Sequence, residues 1–186
     1  RGLCNYIPMV FRYVVPYYRH FLNVNVAMMC VTPMDKHGYF NLSCSTGVAK
    51  GILDKADVVI LEVNERLPRM CGGFDECIHI SEVDYVVEGE HAPLPQFPIT
   101  KPTPEDERIA ELIVERIPSG AAIQLGIGGM PNVVGSLLAQ SDLKDLGMHT
   151  ELCGDAYYEL FKAGKLNNSR KQVHPNKSVT GILFGS

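Results

Sequence analysis

The sequence predicts an α/β protein of parallel sheets covered by helices, with parts of two such domains in one chain. Three observations predict it. From residue 103 onward the apolar pattern alternates helix and strand, α-β-α-β-α-β, an order that lays helices over a parallel sheet. Earlier, "DVVILEVNE" (57–65) is a continuous apolar run of the kind a buried parallel strand needs. Between the two, "HAPLPQFPITKPTPED" holds Pro93, Pro95, Pro98, Pro102 and Pro104 out of 12 prolines in the chain. Proline removes backbone donors and stiffens the chain, so this stretch reads as a linker. The expected division is 1–91, the later part of a first α/β domain; 92–103, the linker; and 104–186, the earlier part of a second.

The elements follow in order. "NVNVAMMCVTPM" (23–34) and "GYFNLSCS" (38–45) read as strands around "DKHG", a turn signal. "TGVAKGILDKA" (46–56) reads as a short helix, and "HISEVDYVVEGEH" (79–91) as a weaker strand. The second part opens with a helix that Thr103 can cap. Pro104 suits its first position, Glu105 and Asp106 suit its positive end, and Ile109, Leu112, Ile113 and Ile117 make an apolar face. "AAIQLGIGG" (121–129) reads as a strand running into a glycine turn, and "PNVVGSLLAQ" (131–140) as a helix with Pro131 at its start. "LGMHTEL" is the next strand, "DAYYELFKAG" a helix closed by Gly164, and "KSVTGILFGS" (177–186) the last strand.

Composition excludes some functions. The 186 residues carry a net charge of −4 with no basic run, which argues against a nucleic-acid partner. No apolar stretch is long enough to span a bilayer. The six cysteines (Cys4, Cys30, Cys44, Cys71, Cys77, Cys153) form no CxxC pair. "CGGFDECIH" fits no common zinc spacing, so no metal site is expected. Buried reduced thiols, and with them a cytoplasmic setting, are the expectation. The chain begins "RGLCNYIPM", without initiator Met or signal-peptide pattern, and stops in the β-rich run "VTGILFGS". It is read as an internal piece of a longer protein.

In parallel α/β sheets ligands sit at the carboxyl ends of strands. Two loops lie there, "GIGGMP" (126–131) and "HTELCGD" (149–155). Glycines at 126, 128 and 129 let backbone N–H groups approach a ligand, and the next helix offers its positive end. A phosphate, a carbonyl oxygen or a thioester oxygen would fit, as would a tight turn with no ligand. The loop lacks the third glycine of GxGxxG and the Lys-Ser/Thr of a P-loop, which argues against dinucleotides and nucleoside triphosphates. Glu151, at the strand–helix junction, could serve as base, metal ligand or nucleophile, or be a solvated loop carboxylate.

"IQLGIGGMPNVV" followed by "LGMHTELCGDAYYELFKAGK" resembles the acetyl-CoA hydrolase/transferase family, in particular its butyryl-CoA:acetate and 4-hydroxybutyrate CoA-transferase branch. The similarity extends to "HGYFNLSCSTG", "ADVVILEVNERLPR" and "HISEVDYVVEGEH". It implies a CoA-transferase-like (NagB/RpiA-like) fold and a chain less than half the length of family members. It also implies that Gly126, Ile127, Gly128, Gly129 and Met130 form a CoA-binding loop, and that Glu151 becomes a covalent glutamyl-CoA thioester. Acyl-CoA and a short-chain carboxylate would be substrates. No permanently bound cofactor is implied, and the whole protein would be a homo-oligomer. A later glycine-rich loop of the family is absent, so poor turnover is expected of residues 1–186 alone. An acyl-CoA hydrolase, a silent CoA-binding module and a sugar-phosphate isomerase are the rival readings.

Other residues take plainer roles. His149 shares a strand face with Glu151, but a carboxylate nucleophile needs no base, so packing or a backbone hydrogen bond is expected. Gln124, Tyr157 and Tyr158 read as structural. Cys153 has no basic residue in its local stretch to activate it. Arg66 and Arg69 in "ERLPR" could meet phosphate or carboxylate, or lie in a solvated loop.

Overall fold

The computed structural model describes residues 2–44, 46–73, 75–96 and 101–185, and the chain divides into two units, Arg1–Leu94 and Pro95–Ser186. The break falls in the proline-rich stretch, of which residues 97–100 lie outside the described residues.

The first unit begins with α1 (Val14–Phe21), an element the sequence reading did not include. Three parallel strands follow, β1 (Val24–Val31), β3 (Ala56–Val63) and β5 (Tyr85–Glu88), in that spatial order. α2 (Ala49–Leu53) connects into β3. One face of the sheet is the core: Ala27, Val31, Val59, Leu61 and Val63 are buried with Leu53 and Phe40. The run 57–65 was expected to be buried throughout. It is a parallel strand, but Val58 and Ile60 are half-buried and Glu62 is exposed. The outward face also carries Val26, Met28, Tyr85 and Val87, all exposed.

The "DKHG" turn forms as read: the Asp35 carboxylate accepts from His37 N at 2.9 Å and Tyr39 N at 3.0 Å, and Gly38 turns at φ +85°. Its second strand, β2 (Tyr39–Asn41), ladders elsewhere. It pairs antiparallel with β4 (Cys77–His79), a three-residue strand too short to carry a periodicity in sequence.

The second unit is a parallel sheet of β6 (Ala122–Ile123), β7 (Gly147–Cys153) and β8 (Val179–Leu183), with β7 in the middle. Helices α3 (Pro104–Val114), α4 (Gly129–Gln140) and α5 (Asp155–Lys162) pack in sequence beside it. Ile123, Met148, Val134, Leu138, Tyr157 and Leu160 fill the core between them. Gly135 lets α4 lie close on α5: a Cβ there would come 2.4 Å from the Ala156 methyl.

Thr103 caps α3 and does more than expected. It accepts from Asp106 N at 3.2 Å while the Asp106 carboxylate accepts from Thr103 N at 2.9 Å, a reciprocal cap. The apolar face read for this helix is corrected. Ile109, Leu112 and Ile113 are exposed, and α3 packs through Ala110 and half-buried Val114, while Ile117, the one residue of the expected face that meets the core, lies just past the helix end. A small residue at the crossing sets that contact, because it lets the helix approach closely. α4 starts at Gly129, so Pro131 is its third residue. α5 is closed by Gly164 at φ +68°, as read.

The cysteine expectation is also corrected. All six are free, but Cys4, Cys30 and Cys71 are exposed and Cys44, Cys77 and Cys153 only half-buried. Apolar sequence neighbours do not imply burial where, as at Cys30, the side chain faces the outward side of a sheet. Among the described residues no helix is long and apolar enough to cross a membrane. Nor do three or more His, Cys, Asp or Glu side chains group to hold a metal.

Candidate active site

β7 alternates from Met148 to Glu151, and beyond it Leu152 and Cys153 are both half-buried, with Cys153 against the core. Met148 and Thr150 point into the core, and His149 and Glu151 are exposed on the opposite face. The strand period of two makes this arrangement: a buried apolar and threonine set on one side puts both polar residues on the other. Glu151 stands near the carboxyl end of the central strand, where α/β sheets present ligand sites.

The neighbouring strand brings the glycine loop to the same place. β6 pairs with β7 through Ala122 with Gly147 and Ile123 with Met148. β6 ends at Ile123, and the start of the glycine loop stays against β7 at Leu125, whose carbonyl oxygen lies 3.4 Å from the Thr150 hydroxyl, a donor it shares with Leu152 O at 3.0 Å. Gly126 is exposed, and an added Cβ would meet no atom within 4 Å. Ile127 is exposed. Gly128 precedes α4 at φ +131°, a conformation that side chains rarely adopt. Gly129 and Met130 form the first turn of α4, whose leading N–H groups have no partner inside the helix. No side chain caps that end. Met130 also packs on the core and anchors the loop.

Tyr157 fixes where the loop departs. Its hydroxyl accepts from Leu125 N at 2.9 Å and donates to Ile123 O at 3.1 Å, and the ring is buried. Burial pushes the phenol pKa up. The sequence reading gave Tyr157 a packing role only. A phenol on the buried face of a helix always needs a polar partner, and that is the signal that could have found it.

Other candidates separate. His149 faces His174, their rings 6.4 Å apart. Burial, and then the Asp155 charge, pushes the Cys153 thiol pKa up, which is the reverse of activation. Gln124 and Tyr158 are exposed. Arg69 pairs with Asp35 at 2.9 Å within the first unit, and its neighbour Arg66 has its backbone N–H on Asn64 Oδ1. On the α3–α4 side, a cleft of about 460 Å³ is lined by Glu107, Glu111, Gly129, Asn132 and Ser136 among others. Glu151 is not among its lining residues.

Fold and site together define an α/β protein with an open carboxylate on a central strand, a glycine loop beside it and a helix N-terminus behind the loop. Residues 1–98 match the acetyl-CoA hydrolase/transferase N-terminal domain, and the chain belongs to that family. It is 49% identical over its whole length to the butyryl-CoA:acetate CoA-transferase of Anaerostipes caccae, covering 42% of that protein. It is 39% identical to the 4-hydroxybutyrate coenzyme A transferase of Clostridium kluyveri, again over its whole length and 42% of the relative. The crystal structure of RipA from Yersinia pestis superposes on all of it with a TM-score of 0.92 at 35% identity, using 42% of that chain. The chain thus spans about two fifths of the length of these relatives. The resemblance read from the sequence and the CoA-transferase-like fold both hold.

Proposed function

We propose that this chain carries the nucleophile of a CoA-transferase moving coenzyme A between a short-chain acyl-CoA, butyryl-CoA or similar, and a carboxylic acid such as acetate. The observation that supports it most is the position of Glu151, exposed near the carboxyl end of the central strand, with the glycine loop following the neighbouring strand β6. Gly126, Ile127, Gly128, Gly129 and Met130 would receive the CoA thioester, their backbone N–H groups facing its oxygen.

The Glu151 carboxylate attacks the acyl carbonyl. A C–O bond forms, the C–S bond breaks, and CoA leaves as thiolate, leaving a mixed anhydride. The thiolate attacks the Glu151 side-chain carbonyl and the first carboxylate leaves, giving the glutamyl-CoA thioester. The acceptor acid then runs the steps in reverse. One thioester replaces another, so little driving force is needed. Backbone donors of the glycine loop offset the oxyanion charge at each step. CoA is a substrate throughout. A cytoplasmic setting for the reaction is part of the proposal. Turnover and self-association would belong to the whole protein, of which residues 1–186 alone are expected to be a poor catalyst.

The test is to mix a protein of the relatives' full length with acyl-CoA and no acceptor. Mass spectrometry should find CoA, less one water, on the peptide containing Glu151. An adduct on Cys153, or an active Glu151→Gln variant, would overturn the reading. The same exposure of Glu151 favours a second reading, an acyl-CoA hydrolase in which water replaces the acceptor acid. CoA release that does not depend on acetate would identify it.

A further inference from the structure

We infer, resting on the nucleophile reading given above, that His149 and His174 form the subsite that takes the carboxylate of the acid substrate. The two rings face each other with centroids 6.4 Å apart, and both side chains are exposed. His149 shares with Glu151 the outward face of β7. Two residues of a parallel strand advance about 6.6 Å, so the ring stands within a small molecule's reach of the nucleophile.

His174 is brought there by a break in the sheet. Beside β7 the chain bridges at Leu166 to Leu146, and pairs again at Val179 with His149. Between these points residues 169–177 leave the sheet and return. Side chains fill the rung they vacate. Met148 N donates to Asn168 Oδ1 at 2.8 Å, and Lys171 Nζ donates to Met148 O at 2.7 Å. Lys171 Nζ also donates to Lys177 O at 2.6 Å, and Asn176 N donates to Asn168 O at 2.9 Å, so the excursion is tied at its base. The lysine stem lies over Gly147, where a Cβ would come 2.7 Å from Lys171 Cγ.

This arrangement is costly. Lys171 is only 8% exposed, and both of these partners are carbonyl oxygens, which replace only part of the hydration an ammonium loses. Asn168, His174 and Asn176 lie at φ 61°, 52° and 60°, a region that residues other than glycine rarely visit. Such strain collects where a ligand contact has to be held in place. The side chain that the excursion sets against the polar face of β7 is His174.

A neutral imidazole offers one N–H, so the pair offers two donors to one carboxylate, each bond about 2.8–3.0 Å long. An anionic acid needs such donors, because it must approach the position of another carboxylate. The N–H groups of the glycine loop face the thioester oxygen in the mechanism above, and Arg170 is paired with Asp145 at 2.9 Å. His149 precedes Glu151 on the strand, whereas the glycine loop follows the carboxyl end of β6. The pair therefore serves the acid and not the phosphates of CoA. The ligand class is a small monocarboxylate anion.

The experiment uses the full-length protein, with circular dichroism and melting temperature as checks on folding. His174→Ala should raise KM for acetate about tenfold, the loss of one hydrogen bond to a charged group. Affinity for free CoA, read by calorimetric titration, should stay within about twofold. His149→Gln, which keeps a donor, should raise KM for acetate less than His149→Ala. An unchanged KM for acetate in folded His174→Ala overturns the inference. So does an equal loss of CoA affinity, which would mark a phosphate site or a distorted sheet. A second readout does not use turnover. Diethyl pyrocarbonate should modify both histidines of the Glu151→Gln protein, and acetate, but not chloride at the same concentration, should protect them, as read by mass spectrometry. If the histidine variants do not fold, absence of that protection overturns the inference. If acetate protects the pair and Glu151→Gln still turns over, the nucleophile reading falls and the subsite stands.

Discussion

The Tyr157 hydroxyl accepts from the backbone N–H of Leu125 at 2.9 Å, so helix α5 holds the residue that leads into the glycine loop. The same hydroxyl donates to Ile123 O. Tyr157→Phe removes both bonds and strands a backbone donor beside the core. It should cost about 1–3 kcal/mol in chemical denaturation. In the full-length protein it should also raise KM for acyl-CoA, because the loop loses its tether. A variant with unchanged stability and kinetics would show that water replaces the phenol.

Glu151→Gln keeps size and hydrogen bonding but removes the carboxylate of the proposed nucleophile. Turnover should collapse while the melting temperature stays put, because an exposed side chain contributes little to stability. Glu151→Asp withdraws the carboxylate by one methylene, and a misplacement of about 1 Å costs on the order of a hundredfold in rate. Steady-state kinetics on the two variants checks both outcomes.

Gly128→Val should weaken CoA binding about tenfold or more without unfolding the chain. The reason is conformational, since the space is open: an added Cβ would meet only Pro131 Cδ, at 3.8 Å, whereas φ +131° is a region side chains avoid. The loop would relax to another backbone path and turn its N–H groups away. Calorimetric titration with CoA reads the loss.

In the first unit Lys50 Nζ bridges Asp54 and Glu82, each at 2.8 Å, and Arg19 adds a second contact to Asp54 at 2.7 Å. Burial alone would raise the Asp54 pKa, but hydrogen bonds from Lys50 and Arg19 outweigh it and hold it below the ordinary range. The Lys50 hydrogen bond does the same to Glu82. Carboxylates whose folded pKa is depressed stabilise fully above about pH 4 to 5 and lose that contribution as pH falls further. Burial works against the Lys50 charge, yet its two partners raise its pKa, so its own contribution disappears only in strong alkali. Lys50→Met should cost less than about 1 kcal/mol per pair at neutral pH, since Asp54 and Glu82 are partly exposed. It should also flatten the acid limb of the stability curve. Melting curves between pH 3 and 7, a range set by those carboxylates, measure it.

Much of the second unit was legible because its signals are local. Thr103-Pro104 announces a helix start, Gly164 a helix end, and the alternation around Glu151 a strand face. The first unit was harder. β4 is three residues long and acquires its identity only by pairing with Tyr39–Asn41, far away in sequence. α1 carries no capping side chain to mark its start. In α3 the apolar residues named the wrong contact, because Ala110 is small enough to be overlooked and is the residue the packing uses. At the candidate site, residue type and position left Glu151 and the glycines with several readings, and the family resemblance chose among them. The partners of Tyr157 could not be named in advance, since they depend on which backbone atoms β6 brings beside the ring.

Glu151 belongs to the middle strand of its sheet, with β6 and β8 hydrogen-bonded on its two flanks. Its Cα is therefore among the least free in the unit, whereas Gly126 and Ile127 stand out in solvent. If Glu151 is the nucleophile proposed above, its backbone is anchored on both flanks, and the adjustment that admits a substrate would fall on the Glu151 side-chain torsions and on the glycine loop. Sequence change in that loop would then leave the strand that carries the carboxylate undisturbed.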